Sequence, residues 1–168
     1  MIKLYDKDNL KNIYRLKNII RYNNRIRIKD ESVAEHSFFV AFLVLDICDK
    51  LQLTDDITFA CMKKAILHDL PEIELNDITF DTKLKLNLHE HLKVYEDEYF
   101  ETNVNKHAYL MKNDIKNVIN LVVNYADALS VLQYAYNEIE LGNTNMKSVA
   151  QETIKRLSSI EKDLEKLL

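Results

Sequence analysis

With 168 residues, 47% hydrophobic and 30% charged, the chain has the make-up of a folded domain rather than a disordered polymer. One glycine and one proline exclude a phosphate-cradling glycine loop and a G-x-G-x-x-G turn, and leave too few turn residues for sheets or barrels. An all-α fold of residues 1–168 as a single domain is expected, and the net charge of −4 argues against a nucleic-acid polymer as partner.

Taken in chain order, Leu10, Ile13, Leu16 and Ile20 give the helical period over Asp8 to Ile20. Tyr22-Asn23-Asn24 breaks it, and Arg25 to Lys29 alternates like an extended segment. Ser32-Val33-Ala34-Glu35 is a capping box opening an apolar helix to about Leu51. Thr54-Asp55-Asp56 opens the next, which Pro71 ends or kinks after His68-Asp69. A loop over Leu75 to Phe80 precedes a polar helical stretch from Thr82 to Lys112, with breaks near Thr102-Asn103. Asn113-Asp114 caps a strongly apolar helix from Ile115 to Leu141, stopped by Gly142. Ser148 to Leu168 closes the chain as an amphipathic helix, with Val149, Leu157, Ile160, Leu164 and Leu167 for the core or a second subunit.

Charge and sulphur add two expectations. Lys11 to Lys29 holds seven basic residues and no acid, leaving −11 on the remainder, a pattern that suits a small phosphorylated ligand or a solvated basic face. Cys48 and Cys61 match no zinc spacing and read as reduced core thiols. With no apolar run of about 18 residues and no signal-peptide pattern, the expected location is the cytoplasm, without membrane contact.

Four polar groups interrupt apolar helices: His36, the pair His68-Asp69, and Asp127. A carboxylate in a core helix is costly unless it is paired or metal-bound. Two imidazoles and two carboxylates suit an open divalent-metal shell. Singly, each has a plain structural explanation: a hydrogen-bonded core histidine, a lysine pair for Asp69, a solvent-facing Asp127. His89-Glu90-His91 and His107 read as solvent-facing, because residues two apart on a helix diverge.

In order, His36, His68-Asp69 and Asp127 match the H…HD…D signature of HD-domain metal-dependent phosphohydrolases. Arg21-Tyr22, Val33-Ala34-Glu35-His36-Ser37, His68-Asp69-Leu70-Pro71-Glu72, Asp77 and Ala126-Asp127 resemble the bacterial HD-domain 5′-deoxynucleotidases over roughly residues 15 to 145. The resemblance implies an HD-domain bundle of about six helices, a homodimer, and one divalent ion (Mn²⁺, Co²⁺, Zn²⁺, Fe²⁺ or Mg²⁺) held by His36, His68, Asp69 and Asp127. It also implies Glu72 as catalytic glutamate, Arg21 and Tyr22 on phosphate and sugar, and Asp77 on the nucleotide. Tyr22 stands where the family usually has tryptophan, and Asn76-Asp77 where it has Gly-Asp with a proline soon after.

The residue chemistry agrees with those roles. Arg21 offers a planar fork for phosphate, Lys83 adds charge, and Asp77 can accept from a sugar hydroxyl. Glu72, three and four residues past the ligand pair, can orient a water or shuttle a proton. Removal of the 5′-phosphate from deoxyribonucleoside monophosphates is the leading expectation. The alternatives are a deoxynucleoside triphosphohydrolase, for which Arg25, Arg27 and Lys29 would supply extra charge, and a non-catalytic helical binding module with a structural metal.

Overall fold

The computed structural model describes residues 7–103 and 113–167. The described residues form eight α-helices and no strand: α1 (Lys7–Arg15), α2 (Val33–Lys50), α3 (Asp55–Leu67), α4 (Glu72–Leu75), α5 (Phe80–Lys85), α6 (His89–Asn103), α7 (Asn113–Glu140) and α8 (Lys147–Leu167). The all-α expectation holds, and the helices beyond about six include two short ones, α4 and α5, on either side of Asp77.

Helices α2, α3, α7 and α8 enclose the main core. Val40, Val44 and Cys48 of α2 meet Cys61 and Ala65 of α3, Val122 and Ala126 of α7, and Leu164 of α8. Each fully buried valine or leucine there stabilises by about 1.5–3 kcal/mol over an exposed one. The apolar stripe of α8 thus docks on its own chain, with Leu157 and Ile160 buried. Tyr22, Tyr134, Met146 and Val149 form a second cluster where α7 turns into α8.

The capping box forms as read: Ser32 Oγ accepts from Glu35 N, and Glu35 Oε2 accepts from Ser32 N at 2.7 Å. It fixes the start of α2 one turn before His36. At the end of α3, Leu70 N donates to Leu67 O in a tightened turn, and Pro71 leads into α4.

Several expectations are corrected. The first helix stops at Arg15 and tightens to a 3₁₀ turn over Leu16–Asn18, leaving Ile13 exposed rather than in the core. Arg25 to Lys29 is not a strand, because no strand pairs with it among the described residues. The nearest ladder is a single bridge between Ile20 and Ser32, and both Ile26 and Ile28 face solvent. This stretch is instead held from α7, where Glu138 accepts from the backbone N–H groups of Ile28 and Lys29, each at 2.7 Å, and Tyr134 Oη donates to Lys29 O.

The helix expected from Thr82 breaks at residues 86–88, where Asn87 takes a left-handed φ of 51°. Residues 104–112, His107 among them, lie outside the described residues. Gly142 ends α7 with a φ of 100°, the C-terminal role expected of it.

Candidate metal centre and substrate cavity

His36 comes from the first turns of α2, His68 and Asp69 from the turn after α3, and Asp127 from the middle of α7. One ligand atom each of His36, His68 and Asp69 lie within 4.8 Å of one another. The two rings meet edge-on, with centroids 5.4 Å apart. Asp69 Oδ2 is 3.2 Å from His68 Nε2 and 3.6 Å from His36 Nε2. Asp127 stands beside this trio rather than within it: Oδ1 lies 3.2 Å from His36 Nε2, while Oδ2 accepts from Arg156 Nη2 at 2.8 Å.

The donor set suits a divalent cation. Nε2 of both histidines is buried without a hydrogen-bond partner, a state that costs stability unless something else satisfies it. His68 Nδ1 donates to Ala65 O at 2.7 Å, which in the neutral ring leaves Nε2 as the bare lone pair. His36 Nδ1 faces Ser130 Oγ at 3.0 Å and Arg21 Nη1 at 2.8 Å. Arginine only donates, so Nδ1 accepts there, and the proton of the neutral ring lies on Nε2, toward Asp127 Oδ1 3.2 Å away, where a bound cation would take its place.

Charges around the centre separate the roles. Burial and the Arg21 guanidinium push His36 below the usual histidine range. Burial acts the same way on His68, but the Asp69 carboxylate overrides it and raises that ring to about 9. Burial disfavours charge on Asp69 and Asp127 too, yet the two imidazoles, with Arg156 beside Asp127, hold both below the carboxylate range. Glu72 goes the other way. Burial, then the charges of Asp69 and Asp77, pushes it up to about 9, and its Oε2 is buried without a partner.

Above these residues opens a cavity of about 490 Å³, within the range of small-molecule sites. Arg21, Tyr22, Asp69, Glu72, Asp77, Lys83 and Asp127 line it, whereas His36 and His68 do not. Tyr22 holds a left-handed φ of 54°, and its N–H donates to Asp77 Oδ2 at 2.6 Å. One face of its ring stacks on Tyr134 at 5.3 Å, the planes 2° apart. Such strain in a non-glycine residue persists only where the surroundings over-determine it. Asn76, where the family pattern has glycine, likewise carries a φ of 58°.

One expectation changes here. Arg21 is not a free fork, since Nη1 also bonds Glu31 Oε2 at 2.7 Å. His89 is exposed as expected, and it also lines the cavity beside Phe80. Of the three further cations, Arg25 lines the cavity, whereas Arg27 pairs with Asp30 and Lys29 is exposed elsewhere. The sequence reading missed Arg156, Lys93 and Glu96 on the cavity wall, and Ser130 behind His36. Only Ser130 left a signal, one helical turn after Asp127.

The model of the YfbR-like 5′-deoxynucleotidase family matches residues 9–166. The chain belongs to that family. It is a hydrolytic enzyme of the 5′-deoxynucleotidase type, a metal-dependent phosphohydrolase, which sets aside the non-catalytic module. No curated protein matches it. Among solved structures it is similar to a protein from Pyrococcus horikoshii, with 26% identity and a TM-score of 0.72 over 95% of this chain and 96% of that one. An HD-domain phosphohydrolase from Listeria innocua shares the fold at 18% identity and a TM-score of 0.68, over 94% and 85% of the two chains. So does the cyanophage S-2L HD phosphohydrolase bound to dA and one catalytic Zn²⁺, at 18% identity and 0.60, over 96% and 99%. No helix among the described residues is long and apolar enough to cross a membrane.

Proposed function

We propose that this enzyme removes the 5′-phosphate from deoxyribonucleoside 5′-monophosphates, with one divalent ion held by His36, His68, Asp69 and Asp127. The observation that carries the reading is the pair of buried, unpartnered Nε2 atoms meeting Asp69, which lines a cavity walled by cations. When bound, such an ion lowers the pKa of water and neutralises a phosphoryl oxygen.

The remaining chemistry belongs to the side chains. Lys83 and Arg21 line the cavity where a phosphate would approach and supply charge to its oxygens. Glu72, pushed up to about 9, carries a proton at neutral pH and gives it to the leaving 5′-oxygen as the P–O5′ bond breaks. Its carboxylate then accepts the proton of the attacking water. Asp77, with Oδ2 held by Tyr22 N–H, keeps its other oxygen for a sugar hydroxyl. Tyr22, pinned against Tyr134, presents its edge to the sugar and crowds a 2′-hydroxyl.

A triphosphate substrate is the second reading. It is favoured by Arg25, Lys93 and Arg156 lining the cavity beyond Arg21 and Lys83, more cationic charge than one phosphate group needs. The solved phage relative that holds dA and Zn²⁺ is compatible with either reading.

The proposal extends to the setting. The chain is one domain, which the family match across residues 9–166 supports. A reducing cytoplasm suits Cys48 and Cys61, which are buried free thiols of the main core. The partner is a second copy of the chain, because α2 is apolar on the face away from the core, where Phe38, Phe39, Phe42 and Leu45 stand exposed.

The deciding experiment supplies metal-stripped protein with Mn²⁺, Co²⁺, Zn²⁺ or Mg²⁺ and each deoxyribonucleoside mono- and triphosphate. Orthophosphate from a monophosphate, falling at least about 100-fold in Asp69→Ala, is expected. Tripolyphosphate from a triphosphate would replace the first reading with the second.

A further inference from the structure

Arg156 lies on α8, outside the H…HD…D pattern and 29 residues from the carboxylate it touches. Its Nη2 donates to Asp127 Oδ2 at 2.8 Å and reaches the Asn124 carbonyl at 3.5 Å, so one guanidinium spans a full turn of α7. The opposite oxygen, Oδ1, is thereby turned toward His36 Nε2, 3.2 Å away. An aspartate side chain has two soft torsions and two equivalent oxygens. His36 draws the Asp127 carboxylate toward the centre and Asp69 repels it, and the bond from Arg156 to Oδ2 leaves Oδ1 as the oxygen that faces inward.

We propose that Arg156 is a positioning residue of the metal centre: it occupies Oδ2 of Asp127 and so presents Oδ1 as a single, oriented ligand. The inference rests on the metal-site reading above. It also makes α8 part of the catalytic apparatus rather than a packing helix alone. Second-layer partners of this kind commonly contribute 10–100-fold to metal affinity.

The sign of the effect separates this role from its rivals. A cation that merely stood near the site would repel a divalent ion, so removing it would tighten metal binding. An arginine that only bound the substrate phosphate would leave the affinity for metal alone unchanged. Orientation of a ligand predicts the opposite of the first and differs from the second.

The test titrates Mn²⁺ alone into the metal-stripped full chain by calorimetry, for the wild type, Arg156→Gln, Arg156→Lys, Asp127→Asn and the double variant Arg156→Gln/Asp127→Asn. Far-UV circular dichroism and the melting temperature of each stripped protein establish that it is folded. The expected result is a loss of about 10–100-fold in Arg156→Gln, partly recovered in Arg156→Lys. In the Asp127→Asn background, Arg156→Gln should add no further loss, since the amide has no second carboxylate oxygen for the arginine to hold while the first faces the metal. Unchanged or tighter binding in Arg156→Gln, or full additivity in the double variant, overturns the inference while leaving the metal centre intact. A wild type that binds no Mn²⁺, Zn²⁺ or Co²⁺ overturns the metal-site reading and the inference with it.

Discussion

Glu138, 1% exposed, keeps its charge because Ile28 N, Lys29 N and Asn143 Nδ2 all donate to it. Burial opposes ionisation, but these donors outweigh it and hold the carboxyl below 4.5. A depressed folded pKa gives stability that is present above the unfolded value and lost as pH falls through the folded one. Glu138→Gln should therefore be less stable at pH 7 by about 2 kcal/mol in urea unfolding. Its deficit should shrink once the pH drops below the 4.5 of an ordinary glutamate. At this scale the sequence spoke clearly wherever a polar residue interrupted an apolar helix, as His36, His68, Asp69 and Asp127 do. It was silent on Glu138 and Arg156, because each looks like an ordinary helix residue until a partner distant in sequence arrives.

The elements were legible where local chemistry fixes them. Ser32 and Glu35 announce the start of α2, and the observed cap has both reciprocal bonds. Ser32→Ala should lower stability by about 1 kcal/mol, measured by denaturant midpoint at constant m-value. It should also loosen the turn that leads into His36. Where local chemistry was ambiguous the reading failed. Alternating arginine and isoleucine in residues 25–29 imitates a strand, yet the stretch is shaped by Tyr134, Glu138 and Asn143 more than 100 residues away. The break between α5 and α6 was invisible, because Asn87 makes a left-handed corner without glycine.

At the scale of the molecule, the four-helix core buries one face of α2 and leaves the other bare. Phe38, Phe39 and Phe42 are 65%, 52% and 64% exposed, and Phe59 of α3 is 72% exposed. A patch of this kind is the mark of an association surface. With a second copy as the occupant, the wild type should elute as a dimer in size-exclusion chromatography with light scattering. Phe38→Asp/Phe42→Asp should elute as a folded monomer, since a carboxylate at the centre of such a face costs several kcal/mol to bury. A wild-type monomer would remove the dimer from the proposal without touching the metal centre.

The scarcity of glycine also changes the thermodynamic starting point. Four non-glycine residues, Tyr22, Gln52, Asn76 and Asn87, sit in left-handed backbone that glycine would enter without steric cost. Each non-glycine residue also has fewer unfolded conformations to surrender, an effect of about 0.4–1 kcal/mol per position. With one glycine in 168 residues, the disordered chain is unusually poor in backbone freedom, and that deficit offsets the strain at the corners. The distorted turn at Tyr22 is thus supported partly by a state in which the turn does not exist.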